Sequence, residues 1–275
     1  MSVQGIPVLN YHAIDNTGNV SSSANVSVSL PTFREQMAWL HAEGYKSVGK
    51  EELREVILHG RRPHDRRVLI TFDDGYHSLY EYALPVLSQY KFTATLFLST
   101  SFIGNKYDQG DFDFVSHDRQ LTWDEIKALA AAGWSIQSHG NIHTRLNSLD
   151  KDALINEITI SKKIIEQNLD STVDEFAFPY GIYTNMVIRQ LKAAGYQFAY
   201  SVHSGKLLPH ARRYRLPRIE INNMDNMASF KTKVTTGYIS ATNARRSKIR
   251  DIIYANAAIK DLIEKWTPYF GFGNH

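Results

Sequence analysis

Seven short apolar runs rich in β-branched and aromatic residues alternate with longer segments of helical periodicity, and this alternation constrains the fold more than any other feature. The runs are Ile6–Asn10, Val68–Phe72, Thr95–Leu98, Trp134–Gln137, Glu175–Phe178, Gln197–Val202 and Leu216–Ile221. Continuous apolarity implies strands covered on both faces, the condition of a parallel sheet. Helical patterns occupy Phe33–Glu43, Glu51–His59, Leu79–Tyr90, Trp123–Ala132, Lys151–Asn168 and Asn185–Ala194. Gly44, Gly133 and Gly195 each close a helical run just before a new apolar one, as left-handed C′ residues do. The chain reads as a series of βα units, an α/β protein. Periodicity alone leaves an open doubly wound sheet in play, but a distorted (β/α) barrel of about seven parallel strands is the preferred reading.

The 275 residues suit one large domain, assigned to residues 1–240, with 241–275 as a helical extension packed on it. Within that tail, Ser240–Trp266 reads as a helix whose basic run, Ala244–Arg250, is a solvated face rather than a nucleic-acid patch, and the net charge of only +3 agrees. Thr17–Ser29 and Gly104–Gln120 break the pattern and are expected as long loops at the mouth of a site. No stretch reaches membrane-spanning length, and Met1–His12 lacks the features of a signal peptide. As written the chain is expected in the cytoplasm, or in the periplasm or outside the cell if a leader has been removed.

There is no cysteine, so any metal must be held by His, Asp or Glu. Two motifs offer such ligands. In Thr71-Phe72-Asp73-Asp74-Gly75 an apolar strand ends in two adjacent carboxylates. If the strand runs through the first, the two side chains point apart, one toward a metal and one toward substrate. The alternative is an ordinary Asp-Asp-Gly turn. In Ser138-His139-Gly140-Asn141-Ile142-His143, two imidazoles four residues apart can meet on one side of a helical turn. Asp74, His139 and His143 together form a donor set that leaves positions open for water and substrate, as catalytic zinc sites do. Phe176-Ala177-Phe178-Pro179-Tyr180-Gly181 is a further strand end, where Pro179 fixes the backbone and a following amide could serve as an oxyanion donor. His12, after Asn10-Tyr11, is either a general acid or a plain loop histidine.

Together these residues resemble the NodB-homology polysaccharide deacetylases, carbohydrate esterase family 4, over roughly Ile6 to Ile221. Thr71–Gly75 resembles the family's first motif, Ser138–His143 its second and Phe178–Gly181 its third. The resemblance implies a distorted (β/α) barrel and a divalent cation, zinc foremost, with cobalt, nickel or manganese as alternatives. It implies Asp73 as general base, Asp74, His139 and His143 as metal ligands, and the Tyr180 amide beside Pro179 as oxyanion donor. Two positions depart from the pattern. Ala177 stands where the third motif carries arginine, and Arg215-Leu216-Pro217-Arg218-Ile219 stands where a catalytic histidine motif is expected. Val8-Leu9-Asn10-Tyr11-His12 resembles that last motif moved to the front of the chain, the order of the branch acting on poly-N-acetylglucosamine exopolysaccharide in biofilms. His12 is therefore expected to protonate the leaving amine, and Arg218 to replace the missing arginine beside Asp73. The implied function is metal-dependent hydrolysis of N-acetyl groups from an N-acetylglucosamine-containing polysaccharide, with carbohydrate and no nucleic acid as partner. Alternatives are an acetyl-xylan esterase, a sugar-precursor deformylase, or a carbohydrate-binding homologue without turnover.

Overall fold

A computed structural model describes residues 5–16, 26–104 and 118–238. Strands β1 (Ile6–Tyr11), β2 (Ala13–Asp15) and β3 (Ser27–Ser29) lead into helix α1 (Leu30–Ala42), followed by β4 (Lys46–Ser47), α2 (Lys50–His59) and β5 (Arg67–Asp74). Next come α3 (Leu84–Gln89), β6 (Ala94–Leu98), α4 (Trp123–Ala131), β7 (Ser135–Ser138), α5 (Lys151–Leu169) and β8 (Glu175–Ala177). The described chain closes with α6 (Asn185–Ala193), β9 (Phe198–Tyr200), β10 (Lys206–Leu207), β11 (Ile219–Glu220) and α7 (Met227–Thr236).

The main sheet runs β10-β1-β5-β6-β7-β8-β9. From β1 to β9 every neighbouring pair is parallel, while β10 lies antiparallel to β1 and β11 parallel to it. The result is the expected distorted (β/α) barrel, a curled sheet of seven mostly parallel strands.

Alternation along β5 sorts its residues between two cores. Val68, Ile70 and Phe72 face the helices, and Phe72 stacks on Trp134 at 5.2 Å. Leu69 belongs to the inner cluster with Val8, Phe97 and Tyr200, against which Val56 and Ile57 of α2 pack. Each such fully buried side chain contributes about 1.5–3 kcal/mol from apolar burial. Parity puts Asp73 in the inner column above Leu69, and that alternation makes β5 the strand that builds the site.

Three expectations change in detail. The helix over Leu79–Tyr90 breaks into a π-helical turn, Leu79–Ala83, before α3, because Pro85 has no amide to donate to the carbonyl of Glu81. The last strand shrinks from Leu216–Ile221 to β11, since Pro217 interrupts it; Leu216 instead bridges to Tyr200. Helix α7 was not anticipated. Asn226 caps it by accepting from the Ser229 amide, and Phe230 and Val234 anchor it in the core.

Of the two expected loops, residues 17–25 and 105–117 lie outside the described residues. Ser27–Ser29 instead forms β3, paired with β2, and Gln120 bridges to Tyr76. The helix at Ser240–Trp266 and the extension 241–275 also lie outside the described residues. Among the described residues no helix is long and apolar enough to cross a membrane.

Candidate functional site

Strand β5 remains extended through Asp73, whose side chain turns into the mouth of the curled sheet and meets Arg218. The contact is bidentate: Arg218 Nη1 donates to Asp73 Oδ1 at 2.7 Å and Nη2 to Oδ2 at 2.8 Å. Arg218 reaches there from just before β11, across β1, and two more donations hold it, to the Asn10 amide oxygen at 2.9 Å and the Ser201 carbonyl at 3.1 Å. The guanidinium is fully buried. Burial alone would push the Asp73 carboxyl up, but Arg218, His139 and His12 outweigh it and hold the group well below the usual carboxylate range.

Asp74 would point toward the helix layer if β5 stayed regular. Its left-handed backbone, φ 72°, instead turns the carboxylate toward His139 and His143. Asp74 Oδ1 lies 3.6 Å from His139 Nε2 and 3.4 Å from His143 Nε2. The histidine pair does not sit on a helical turn, as its spacing suggested. Residues 139–143 form a loop, with Gly140 at φ 86° and His143 at φ 49°, that folds both rings to one side.

That loop is tied down on several sides. Glu157 of α5 accepts from the amides of Asn141 at 2.7 Å and Ile142 at 2.8 Å, and a Cβ on Gly140 would meet its carboxylate at 2.7 Å. The amides of Thr100 and Ser101 donate to the carbonyls of Gly140 and Asn141. His139 Nδ1 pairs with the Ala177 carbonyl at 2.8 Å, which leaves Nε2 for the site.

These residues fit a divalent cation. One donor atom from each of Asp74, His139 and His143 lies within 4.8 Å of the others. Donors held about 2.0–2.2 Å from one ion are roughly 3.5 Å apart in a tetrahedron, close to the two separations at Asp74. Asp74 Oδ1 is buried and has no hydrogen-bond partner among the described residues. Burial raises the Asp74 pKa, and burial lowers both imidazoles to about 4. Neutral imidazoles keep their lone pairs, and a buried carboxylate without a compensating cation is costly.

Of the remaining predicted residues, His12 and Tyr180 line the same open cavity, of about 410 Å³, while Pro179 precedes Tyr180 in the chain and Arg218 pairs with Asp73. His12 Nε2 lies 3.9 Å from Asp73 Oδ2, the distance at which His139 Nε2 approaches the same oxygen. Pro179 starts a single turn in which Tyr180 is left-handed, φ 58°. The Tyr180 ring packs on His143 at 4.8 Å, with Arg145 stacked over it at 4.7 Å. A Cβ on Gly181 would come within 2.3 Å of Val202, so only glycine fits there. Asp74, His143 and Tyr180 are three of the six left-handed non-glycine residues among those described, and all three line this cavity. Such backbone costs about 1–3 kcal/mol per residue and clusters where function requires it.

Residues 60–199 match the family model described as polysaccharide deacetylase. The putative polysaccharide deacetylase YxkH of Bacillus subtilis is 30% identical over 217 residues, covering 79% of this chain and 71% of that protein. The chain belongs to the polysaccharide deacetylase family. A poly-beta-1,6-N-acetyl-D-glucosamine N-deacetylase of Staphylococcus aureus is 27% identical over 234 residues, 78% of each chain. The Streptococcus pyogenes deacetylase PplD, solved with acetate, shares the fold at a TM-score of 0.73 and 24% identity, covering 85% of this chain and 99% of that one.

The deacetylase is thus a hydrolase on the NodB-type barrel. Its matched segment, residues 60–199, contains Asp73, Asp74, His139, His143, Pro179 and Tyr180, whereas His12 and Arg218 lie outside it, His12 lining the cavity and Arg218 reaching Asp73 through the fold. Sequence reasoning gave no role to two residues that matter in the deacetylase. Asn10 carries the oxygen that fixes Arg218, and a lone polar side chain inside an otherwise apolar strand was the available signal. Glu157 anchors the histidine loop, and its position between Leu154 and Ser161 on the buried face of α5 was the corresponding one.

Proposed function

We propose that this deacetylase removes the acetyl group from N-acetylglucosamine units of a polysaccharide, with a divalent cation, zinc foremost, held by Asp74, His139 and His143. The observation that carries the reading is the bidentate Arg218–Asp73 pair beside that ligand cluster, which supports Arg218, just before β11, as the substitute for the arginine missing at Ala177. The Staphylococcus aureus relative, a poly-beta-1,6-N-acetyl-D-glucosamine N-deacetylase, supports N-acetylglucosamine as the sugar.

When bound, the cation would supply Lewis-acid polarisation of the acyl oxygen and lower the pKa of water. Asp73, ionised and oriented by Arg218, accepts the proton of the attacking water as its oxygen adds to the acetyl carbon. The left-handed Tyr180, just after Pro179, lines the cavity, which supports the Tyr180 amide as donor to the developing oxyanion. His12 donates its proton to the nitrogen as the C–N bond breaks, releasing acetate and a free amine.

The test is acetate release from β-1,6-linked N-acetylglucosamine oligomers by protein reconstituted with zinc. Release that stops with a chelator and returns with metal is the expected outcome. A metal-loaded protein that frees no acetate from these oligomers but deacetylates xylan would overturn the sugar assignment.

A further inference from the structure

A second cavity, of about 260 Å³, lies between β10 and residues 211–217, which bridge to β9 through Leu216. Its charged lining is entirely cationic, with Lys206, Arg212 and Arg215 facing it and no carboxylate contributing. Among the described residues none of the three makes an ion pair with a carboxylate, whereas Arg54, Arg67, Arg119 and Lys233 all do elsewhere. Burial, with Arg66 nearby, lowers the Lys206 pKa, the direction expected of an ammonium that lacks a counter-ion.

The Arg215 guanidinium is held in place, and backbone contacts fix the positions of Arg212 and Lys206. Arg215 lies over the Tyr183 ring at 5.6 Å and donates to the Asn185 amide oxygen at 3.0 Å, while the Arg215 amide closes a turn onto the Arg212 carbonyl at 2.8 Å. Lys206 sits on β10, paired with Pro7 of β1. A guanidinium fixed by a ring and an amide keeps further N–H donors for a planar or tetrahedral oxyanion, and such charge-assisted bonds are the strong ones.

We propose that this cavity is an oxyanion site, which binds a carboxylate or phosphate group on Lys206, Arg212 and Arg215. Gly181 and Val202 line the first cavity, and Tyr183 and Lys206 line the second a few residues further along the same two segments. An acidic substituent of a glycan is one source of such an anion, and a free anion is the other. The glycan source of the anion rests on the deacetylase reading above, whereas the oxyanion chemistry does not.

The experiment uses the full, zinc-loaded chain and isothermal calorimetry with three probes: inorganic phosphate, a neutral N-acetylglucosamine hexamer, and a hexamer in which N-acetylglucosamine alternates with glucuronate. Saturable binding of phosphate or of the acidic hexamer, weakened roughly tenfold or more in Lys206→Gln/Arg215→Gln, supports the site. Tighter binding of the acidic than the neutral hexamer, lost in the variant, identifies a glycan as the source; phosphate binding without that preference identifies a free anion. Arg212→Gln, at an exposed side chain, provides the same comparison if the double variant fails to fold. Absence of saturable binding by both anionic probes, or equal binding by parent and variants, overturns the proposal. Acetate release from the neutral hexamer reports separately on the deacetylase reading.

Discussion

Asp73 and Glu175 are both carboxyls on the inner face of the curled sheet, each only 2% exposed, yet their charge states differ. Asp73, near the end of β5, receives both arms of Arg218 and is held well below the usual range. Glu175, which opens β8, is pushed up to about 7 by burial, with Asp174 adding to the effect. Two cations stand nearby, but Lys50 and Arg54 pair with Asp174 at 2.7 and 3.2 Å, and Glu175 accepts from the Tyr200 hydroxyl instead. Depth does not decide whether a buried carboxyl is ionised; the geometry of the nearest cation does. The bidentate Arg218 stands at the candidate cleft, and Glu175, without such a partner among the described residues, is left able to stay protonated.

The contrast is broken first at Asp73. Asp73→Asn is expected to cut turnover about 10³-fold, within the range for loss of a general base, at unchanged zinc content. Glu175→Gln should leave turnover within about twofold, since Glu175 lies outside the cleft. Comparable losses in the two variants would remove the distinction.

Arg218→Met comes next. Removing one partner of a buried pair costs about 3–5 kcal/mol, because the other charge stays buried without compensation. Urea unfolding of Arg218→Met should show that loss at pH 7, and a loss below about 1 kcal/mol would mean that Asp73 does not depend on Arg218 for its charge.

A smaller effect at Glu175 sharpens the comparison through pH. Its folded pKa of about 7 stands above the ordinary 4.5, so below pH 4.5 both folded and unfolded states are protonated and the group is neutral to stability. Between 4.5 and 7 the unfolded chain releases its proton first, so stability falls as pH rises, by at most about 3 kcal/mol at pH 8. Glu175→Gln should therefore raise the urea midpoint at pH 8 and leave it nearly unchanged at pH 4. A midpoint gain of equal size at both values would contradict a neutral, buried Glu175.

Smallest of all is the exposed Lys46–Asp65 pair at 2.9 Å, where Asp65→Asn should leave the urea midpoint at pH 7 indistinguishable from the parent's.

The strand runs and the Asp73–Asp74 and His139–His143 motifs were legible in the sequence because strand periodicity and residue chemistry are local. Arg218 was legible only through the family resemblance, whose third motif carries an arginine where this chain has Ala177, and the fold brings it across β1 to Asp73. The turned backbone at Asp74 and the loop that unites the histidines were not legible. Left-handed φ at non-glycine residues is imposed by tertiary contacts such as Glu157 on the loop amides, and these leave no local pattern. Helix α7 went unread for a different reason: its capping Asn226 and anchors Phe230 and Val234 are clear only once the core they pack on is known.

The central claim is that Arg218 serves the reaction through Asp73. A double-mutant cycle on kcat/KM, with Asp73→Asn, Arg218→Met and both together at matched zinc content, tests it most directly. The account predicts that the double variant is no slower than Asp73→Asn alone, whereas losses that multiply would contradict it.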